Sequence, residues 1–321
     1  MLNVRRARLA WRRYSEAYPR RVSGLATAGL GMFVLIGYLA PRLRLNPGQL
    51  DTPDFPALGA AMLGLAAAVG IDVLLLAAFV LHDRARRRAA VGGNPWDGDE
   101  RALVPPLVRP FCWLVILPSL AGVALLASRV AGTDGPLRVD ARVDDGLAYR
   151  LGGFRSLLEG LTQLGSPEGV GVLAALLGLG CLVARRPRAA LLAFVGPPAA
   201  GMLTEYGLKP LIGRRSGDAF AFPSGHTTGA VAVATVIVLL LLPSGSLAGL
   251  PRQARVLLGA FAAGLASIVP IGLIVLRYHY ATDVLAGAAI AVAAILALAL
   301  GIDAGARRLA RGRLRRPTVL V

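Results

Sequence analysis

The sequence predicts an all-α membrane protein, a bundle of eight membrane-spanning helices, and two observations carry that expectation. Hydrophobic residues make up 55% of the 321 and charged residues only 17%, with the apolar ones gathered into blocks long enough to cross a hydrocarbon core about 30 Å thick. The basic residues fall between these blocks rather than along a periodic polar face. A formal charge of +17 therefore speaks for membrane topology, and nucleic acid is not expected as a partner.

In chain order the blocks are 22–41, 57–81, 110–131, 169–184, 189–207, 225–243, 256–276 and 284–302. The first follows seven arginines. It reads as a retained anchor rather than a cleaved leader, being long and lacking a small-residue cleavage site. One connection, 132–168, is longer than the rest. Its Leu147, Leu151, Phe154, Leu158 and Leu161 are spaced by four, three, four and three, an apolar stripe at helical period. Such a helix would lie on the outer leaflet, either shaping a lateral entrance for a lipid tail or packing on the spans as a lid.

Arginine is disfavoured for export during insertion, so its distribution sets orientation. Seven basic residues lie in 1–21, six in 82–109, three in 185–188, two in 252–255 and six after Asp303; with eight crossings these 24 of 35 share one side. Both termini are expected in the cytoplasm, with 42–56, 132–168, 208–224 and 277–283 facing outward from the cell membrane. The expected organisation is a basic N-terminus at 1–21, two additional spans with a cytoplasmic loop over 22–109, a six-span core over 110–302 and a basic tail over 303–321. Basic tails also suit anionic membrane lipids, which agrees with the same orientation. Cys112 and Cys181 sit inside apolar blocks without disulfide or metal spacing, so redox chemistry is not expected.

Three outward stretches hold polar residues that an apolar bundle has little reason to keep: Lys209 to Arg215, Phe222 to Thr227, and Arg277 to Asp283. Lys209 is the one lysine among 35 basic residues. Pro223 and Ser224 before an apolar run mark a helix start, where unused backbone N–H groups and the positive dipole end suit an anion. Lys209 and Arg214 add full charge, and a guanidinium can grip two phosphate oxygens at once. His279 and Asp283 are four apart, so on a helical turn the carboxylate can orient the imidazole. An oriented imidazole can attack phosphorus, and His226 beside the anion seat can protonate the leaving oxygen.

The order lysine-arginine, Pro-Ser-Gly-His, then His-x-x-x-Asp-x-x-Ala-Gly over His279 to Gly287 resembles the type 2 phosphatidic acid phosphatase family, which shares its active site with vanadium haloperoxidases. The resemblance covers about 110–302 and implies a six-helix core. It implies His279 as the phosphorylated nucleophile, Asp283 as its orienting partner and His226 as the leaving-group acid. Lys209, Ser224, Gly225 and the arginines would hold the phosphoryl oxygens. This chain departs from the family twice. Ser216 and Gly217 stand where the first motif has Arg-Pro, leaving Arg214 to serve; Leu273 stands where the third motif has arginine, with Arg277 one turn further on as the expected substitute. Glu205 and Arg215 are support candidates.

Other polar residues have plainer readings. Asp72 inside the second span should face protein or be protonated, His82 reads as structural, and Tyr278 and Tyr280 read as interface-belt residues. The expected activity is metal-independent hydrolysis, without a cofactor, of a phosphomonoester or pyrophosphate on a lipid such as phosphatidate, phosphatidylglycerol phosphate or a polyprenyl pyrophosphate. Transfer of the phosphoryl group to an alcohol or sugar is the alternative, and a non-enzymatic lipid-phosphate binder the second. The expected partners are the lipid phosphate and the surrounding membrane lipids, while head group, chain length and oligomeric state stay open.

Overall fold

The computed structural model describes residues 102–105, 108–242, 245, 247 and 249–314. The expected spans at 22–41 and 57–81, with Asp72 and His82, lie outside the described residues. Helix α1 (Arg109–Val130) carries proline in its first turn, where a missing N–H costs no intrahelical bond. After a short connection, α2 (Arg138–Leu151) and α3 (Arg155–Thr162) fold the long outer segment into helix, joined by a 3₁₀ turn at Gly152–Phe154. Helix α4 (Pro167–Val183) starts at a Ser166 cap that accepts from Gly169 N at 3.1 Å.

Helix α5 (Pro187–Met202) continues through a π-helical turn at Leu203–Leu208 into the short α6 (Lys209–Ile212), which Gly213 ends at φ +71°. A two-stranded antiparallel hairpin follows, β1 (Arg215–Ser216) with β2 (Ala219–Phe220), a small addition to the all-helical expectation. The remaining helices are α7 (Gly225–Leu241), α8 (Arg252–Val275) and α9 (Ala281–Leu314).

Helix α7 is the centre of the described residues. It is apolar on every side, the pattern of a helix enclosed by others, and it packs against α4, α5, α8 and α9. Its Ala232, Val236 and Leu239 join α5 and α9 side chains in one apolar cluster, while Ala230, Val233 and Ile237 join α4 and α8 in another.

Among the described residues, three helices are long and apolar enough to cross a membrane: Cys112–Val130, Arg252–Val275 and Ala281–Ala310. A fourth crossing arises if the pair Arg138–Gly165 and Pro167–Val183, bent by 57°, counts as one span. Helices α4, α5 and α7 have 17, 16 and 17 residues, at or below the short end of what spans.

Two expected boundaries do not appear in the structure. Helix α9 runs unbroken through Asp303, whose buried carboxylate accepts from Leu103 N and Val104 N at 3.0 Å each and lies 3.7 Å from Arg109 and 3.8 Å from Arg188. The expected tail therefore begins as structural helix. Leu103, Val104 and Val108 are buried in the same apolar cluster as α5 and α9, so the core starts before residue 110.

The outer stripe divides. Leu158 is buried, and Leu147 packs on Ile274, Ala281 and Val284. Leu151 and Leu161 are half-buried and Phe154 is exposed, because the 3₁₀ turn breaks the helical register between α2 and α3.

Candidate active site

Ser224 caps α7, its Oγ accepting from Thr227 N at 3.4 Å. The amides of Gly225 and His226 follow at a helix start, where a helix does not consume its own first N–H groups. The π turn before α6 brings Glu205 to this place. A Cβ on Gly225 would overlap Glu205 Oε1, so the glycine gives the Glu205 carboxylate its place, and Glu205 in turn holds Lys209 Nζ at 2.8 Å. Lys209 is largely enclosed, with 12% of its side chain exposed against 39% for Glu205. The half-buried His226 lies within electrostatic reach of His279, Glu205, Lys209 and Glu168.

The second and third motifs are stitched together by backbone. Ser224 N donates to Asp283 O at 3.0 Å, and Thr228 Oγ1 donates to Gly287 O at 3.2 Å. A Cβ at Gly287 would stand 2.5 Å from Ser224 O; the absent side chain lets the two helix starts touch. Thr204 of the π turn reaches Thr228 Oγ1 at 3.3 Å.

The start of α9 is crowded with carboxylates. Asp283 Oδ2 accepts from Tyr280 N at 3.0 Å, Asp140 Oδ1 from Thr282 N at 2.8 Å, and Asp144 Oδ1 from Ala281 N at 3.2 Å. Two acids of α2 thus satisfy amides that α9 cannot satisfy itself, and they oppose its dipole favourably. His279 sits just before this start, 10% exposed, with Nδ1 3.7 Å from Asp283 Oδ2. That separation is longer than a hydrogen bond. Nδ1 faces the carboxylate and, buried, has no hydrogen-bond partner.

Arg214 lies elsewhere than expected. It is fully buried: Nη1 donates to Asp283 Oδ1 at 2.6 Å and Thr282 Oγ1 at 2.7 Å, and Nη2 to Asp140 Oδ2 at 2.7 Å and Gly135 O at 3.1 Å. The guanidinium stacks over Tyr280 at 4.6 Å. Both terminal nitrogens have protein acceptors, which ties Arg214 to Asp283, while the buried Nε has none and is the one donor left. Arg277 also departs from expectation. It pairs with Asp145 at 2.6 Å with 49% of its side chain exposed, and its φ of +64° is a left-handed conformation that favours glycine. The guanidinium is turned to the surface of α2. Arg215 lies on the exposed hairpin over Phe220. Tyr280 joins the site network, its hydroxyl 3.2 Å from Ser216 Oγ, whereas Tyr278 is exposed.

Sequence reasoning missed Asp140, Asp144 and the role of Thr282. The signal was present. Continued toward the N-terminus at the same period, the stripe of Leu147 and Leu151 lands on Asp144 and Asp140, and acids on a helix's buried face imply cationic or amide partners.

With this geometry in view, comparison with known proteins becomes specific. The model of the PAP2 superfamily matches residues 171–304, a stretch containing all three motifs. The likeness to the PAP2 superfamily is therefore a property of residues 171–304. The match is narrower than the expected 110–302, and α1 to α3 lie before it. A solved PAP2-type protein, the transmembrane phosphatidylglycerolphosphate phosphatase from Bacillus subtilis, is 22% identical over 58% of this chain and 94% of its own, with a TM-score of 0.46. No curated protein matches the sequence.

Proposed function

We propose that this chain is a membrane lipid phosphatase that hydrolyses a phosphomonoester or pyrophosphate through a phosphohistidine on His279. The observation that carries the reading is the convergence of three separate stretches: Lys209 and Glu205 at the start of α7, Ser224 bonded to Asp283, and His279 beside Asp283 with electrostatic reach to His226. The match of the 171–304 segment to the PAP2 superfamily supports it. Binding alone would need only cations and amides, whereas two imidazoles with an orienting carboxylate serve bond making and breaking.

In the proposed reaction the phosphoryl oxygens rest against the Gly225 and His226 amides and Lys209, which stabilise the charge that grows on them. His279 Nε2 forms a bond to phosphorus while the bond to the leaving oxygen breaks, and His226 gives that oxygen a proton. Water then attacks phosphorus as His226 takes its proton, the phosphorus–nitrogen bond breaks to return the His279 imidazole, and inorganic phosphate departs. Asp283 compensates the charge on the phosphorylated imidazole. Arg214 holds Asp283, and we assign it this positioning task rather than phosphate binding.

The proposed architecture has eight spans. Helices α1, α4, α5 with its π turn, α7, α8 and α9 form a six-helix core, the segments at 22–41 and 57–81 add two, and the site faces outward at the cell membrane.

Incubation of purified protein with phosphorus-labelled phosphatidate, phosphatidylglycerol phosphate and polyprenyl pyrophosphate, followed by acid-free denaturation, tests the reading. Free phosphate and an acid-labile, alkali-stable phosphoprotein are expected, both lost in His279→Ala with a rate drop of roughly 10³-fold or more. Turnover surviving in His279→Ala would remove the nucleophile assignment.

A further inference from the structure

The buried ion cluster at the start of α9 contains one cation between two anions. Arg214 touches Asp140 at 2.7 Å and Asp283 at 2.6 Å, with all three side chains fully buried. In a site shielded from water, a cation that close to a carboxylate cancels most of the field the carboxylate would exert elsewhere. Were Asp283 the sole partner of Arg214, it would have little charge left for His279, 3.7 Å from its other oxygen. Asp140 changes that balance, because Asp140 and Arg214 together are neutral.

We propose that Asp140 is a positioning residue that neutralises Arg214 and so leaves the negative charge of Asp283 available to the His279 imidazole. Asp140 lies 143 residues before Asp283, on a helix outside the segment matched by the PAP2 superfamily. It does not touch His279; it acts through Arg214 and through the Thr282 amide and hydroxyl, which it accepts at 2.8 and 3.1 Å. The proposal rests on His279 as the reactive group of the phosphatase reading, and its readouts separate the two.

The charge argument requires opposite signs from the two partners. Asp140→Asn leaves Asp283 alone to compensate Arg214, which disfavours an imidazolium at His279. Arg214→Gln removes the cation, which favours it. The double variant restores the balance. A purely structural role would instead make both single variants shift alike and the double variant worst. The other charged groups nearby are His226 on α7 with Glu205, Lys209 and Glu168 around it, Asp145 on α2 with Arg277, and Asp144, whose carboxyl the charge of Asp140 helps to raise; all variants are therefore compared in an Asp144→Asn background, which holds that charge constant.

The experiment is histidine-selective ¹⁵N NMR of the full-length protein in detergent, with the His279 signals identified by their absence in His279→Ala, alongside pH–rate profiles on labelled phosphatidate. In Asp140→Asn the His279 titration and the acid limb of kcat/KM are expected to move about one pH unit down, with kcat roughly tenfold lower and KM within about twofold. In Arg214→Gln the titration moves up, and the double variant returns to within about half a unit of wild type. Asp140→Glu, which keeps the charge, stays near wild type. Titrations unmoved by Asp140→Asn, or moved in the same direction by both single variants, overturn the proposal. If the titrations behave as expected but the wild type releases no phosphate, the charge balance stands and the phosphatase reading falls.

Discussion

Glu205 fills the space that a side chain at Gly225 would need, and in doing so it fixes Lys209 beside the first amides of α7. Gly225→Ala is expected to displace the free end of a flexible side chain, not backbone, so folding should change by no more than about 0.5 kcal/mol. Lys209 loses its anchor with Glu205. A charge-assisted contact to a phosphoryl oxygen is worth about 1.5–3 kcal/mol, so KM should rise roughly tenfold or more while the thermal midpoint holds. Michaelis kinetics and a melt on the same preparation check this, and an unchanged KM would detach Lys209 from the phosphate. These residues were legible in the sequence because their signals are local: a lone lysine, a carboxylate one turn before it, a cap before an apolar run. Arg214 was not. A guanidinium serves a phosphate or a carboxylate equally well, and the carboxylate that claims its second nitrogen lies 74 residues away.

Helix α2 is the element that sequence alone understated. Six of its fourteen residues are charged, too many for hydrocarbon, yet it docks by burying two of its acids against the start of α9. Its apolar stripe was read correctly as helical, but the two aspartates at the same period were passed over because a buried acid is costly unless its partners are known. Those partners come from α9 and from the connection after α6, and their approach is a tertiary fact. Asp144 shows the cost. Burial, with the charge of Asp140 added, pushes its carboxyl from 3.8 up to about 7, against the opposing pull of the Ala281 amide and Arg277. A raised carboxyl holds in the folded state a proton the unfolded chain has already released, so its contribution to stability falls as pH rises from about 4 to about 7. Asp144→Asn keeps an acceptor for Ala281 N and removes the ionisation. Its melting temperature should exceed wild type by roughly 2–4 °C at pH 8, with the gain shrinking as pH falls toward 5. A gain that is constant with pH would mean that ionisation of Asp144 is not what limits the docking.

Across the whole molecule, α9 is the ruler. From Thr282 in the ion cluster to Asp303 beside Arg109 and Arg188 it rises about 32 Å at 1.5 Å per residue, one hydrocarbon thickness. The candidate site and the arginine-rich junctions therefore lie at opposite ends of one helix. Retention of arginine in the cytoplasm then favours the proposed outward-facing site, and arginine spacing carries that expectation because insertion responds to charge between blocks and not to how loops fold. Two positions test it. Asp218 lies in the exposed turn of the hairpin that follows Arg214, and Ala310 is exposed near the far end of α9. With the buried Cys112 and Cys181 replaced by alanine, Asp218→Cys should react with an impermeant maleimide in intact cells as fully as after lysis, whereas Ala310→Cys should react only once the membrane is opened. The reverse pattern would place His279 and Lys209 on the cytoplasmic face, and a lipid phosphate in the outer leaflet could then not be the substrate.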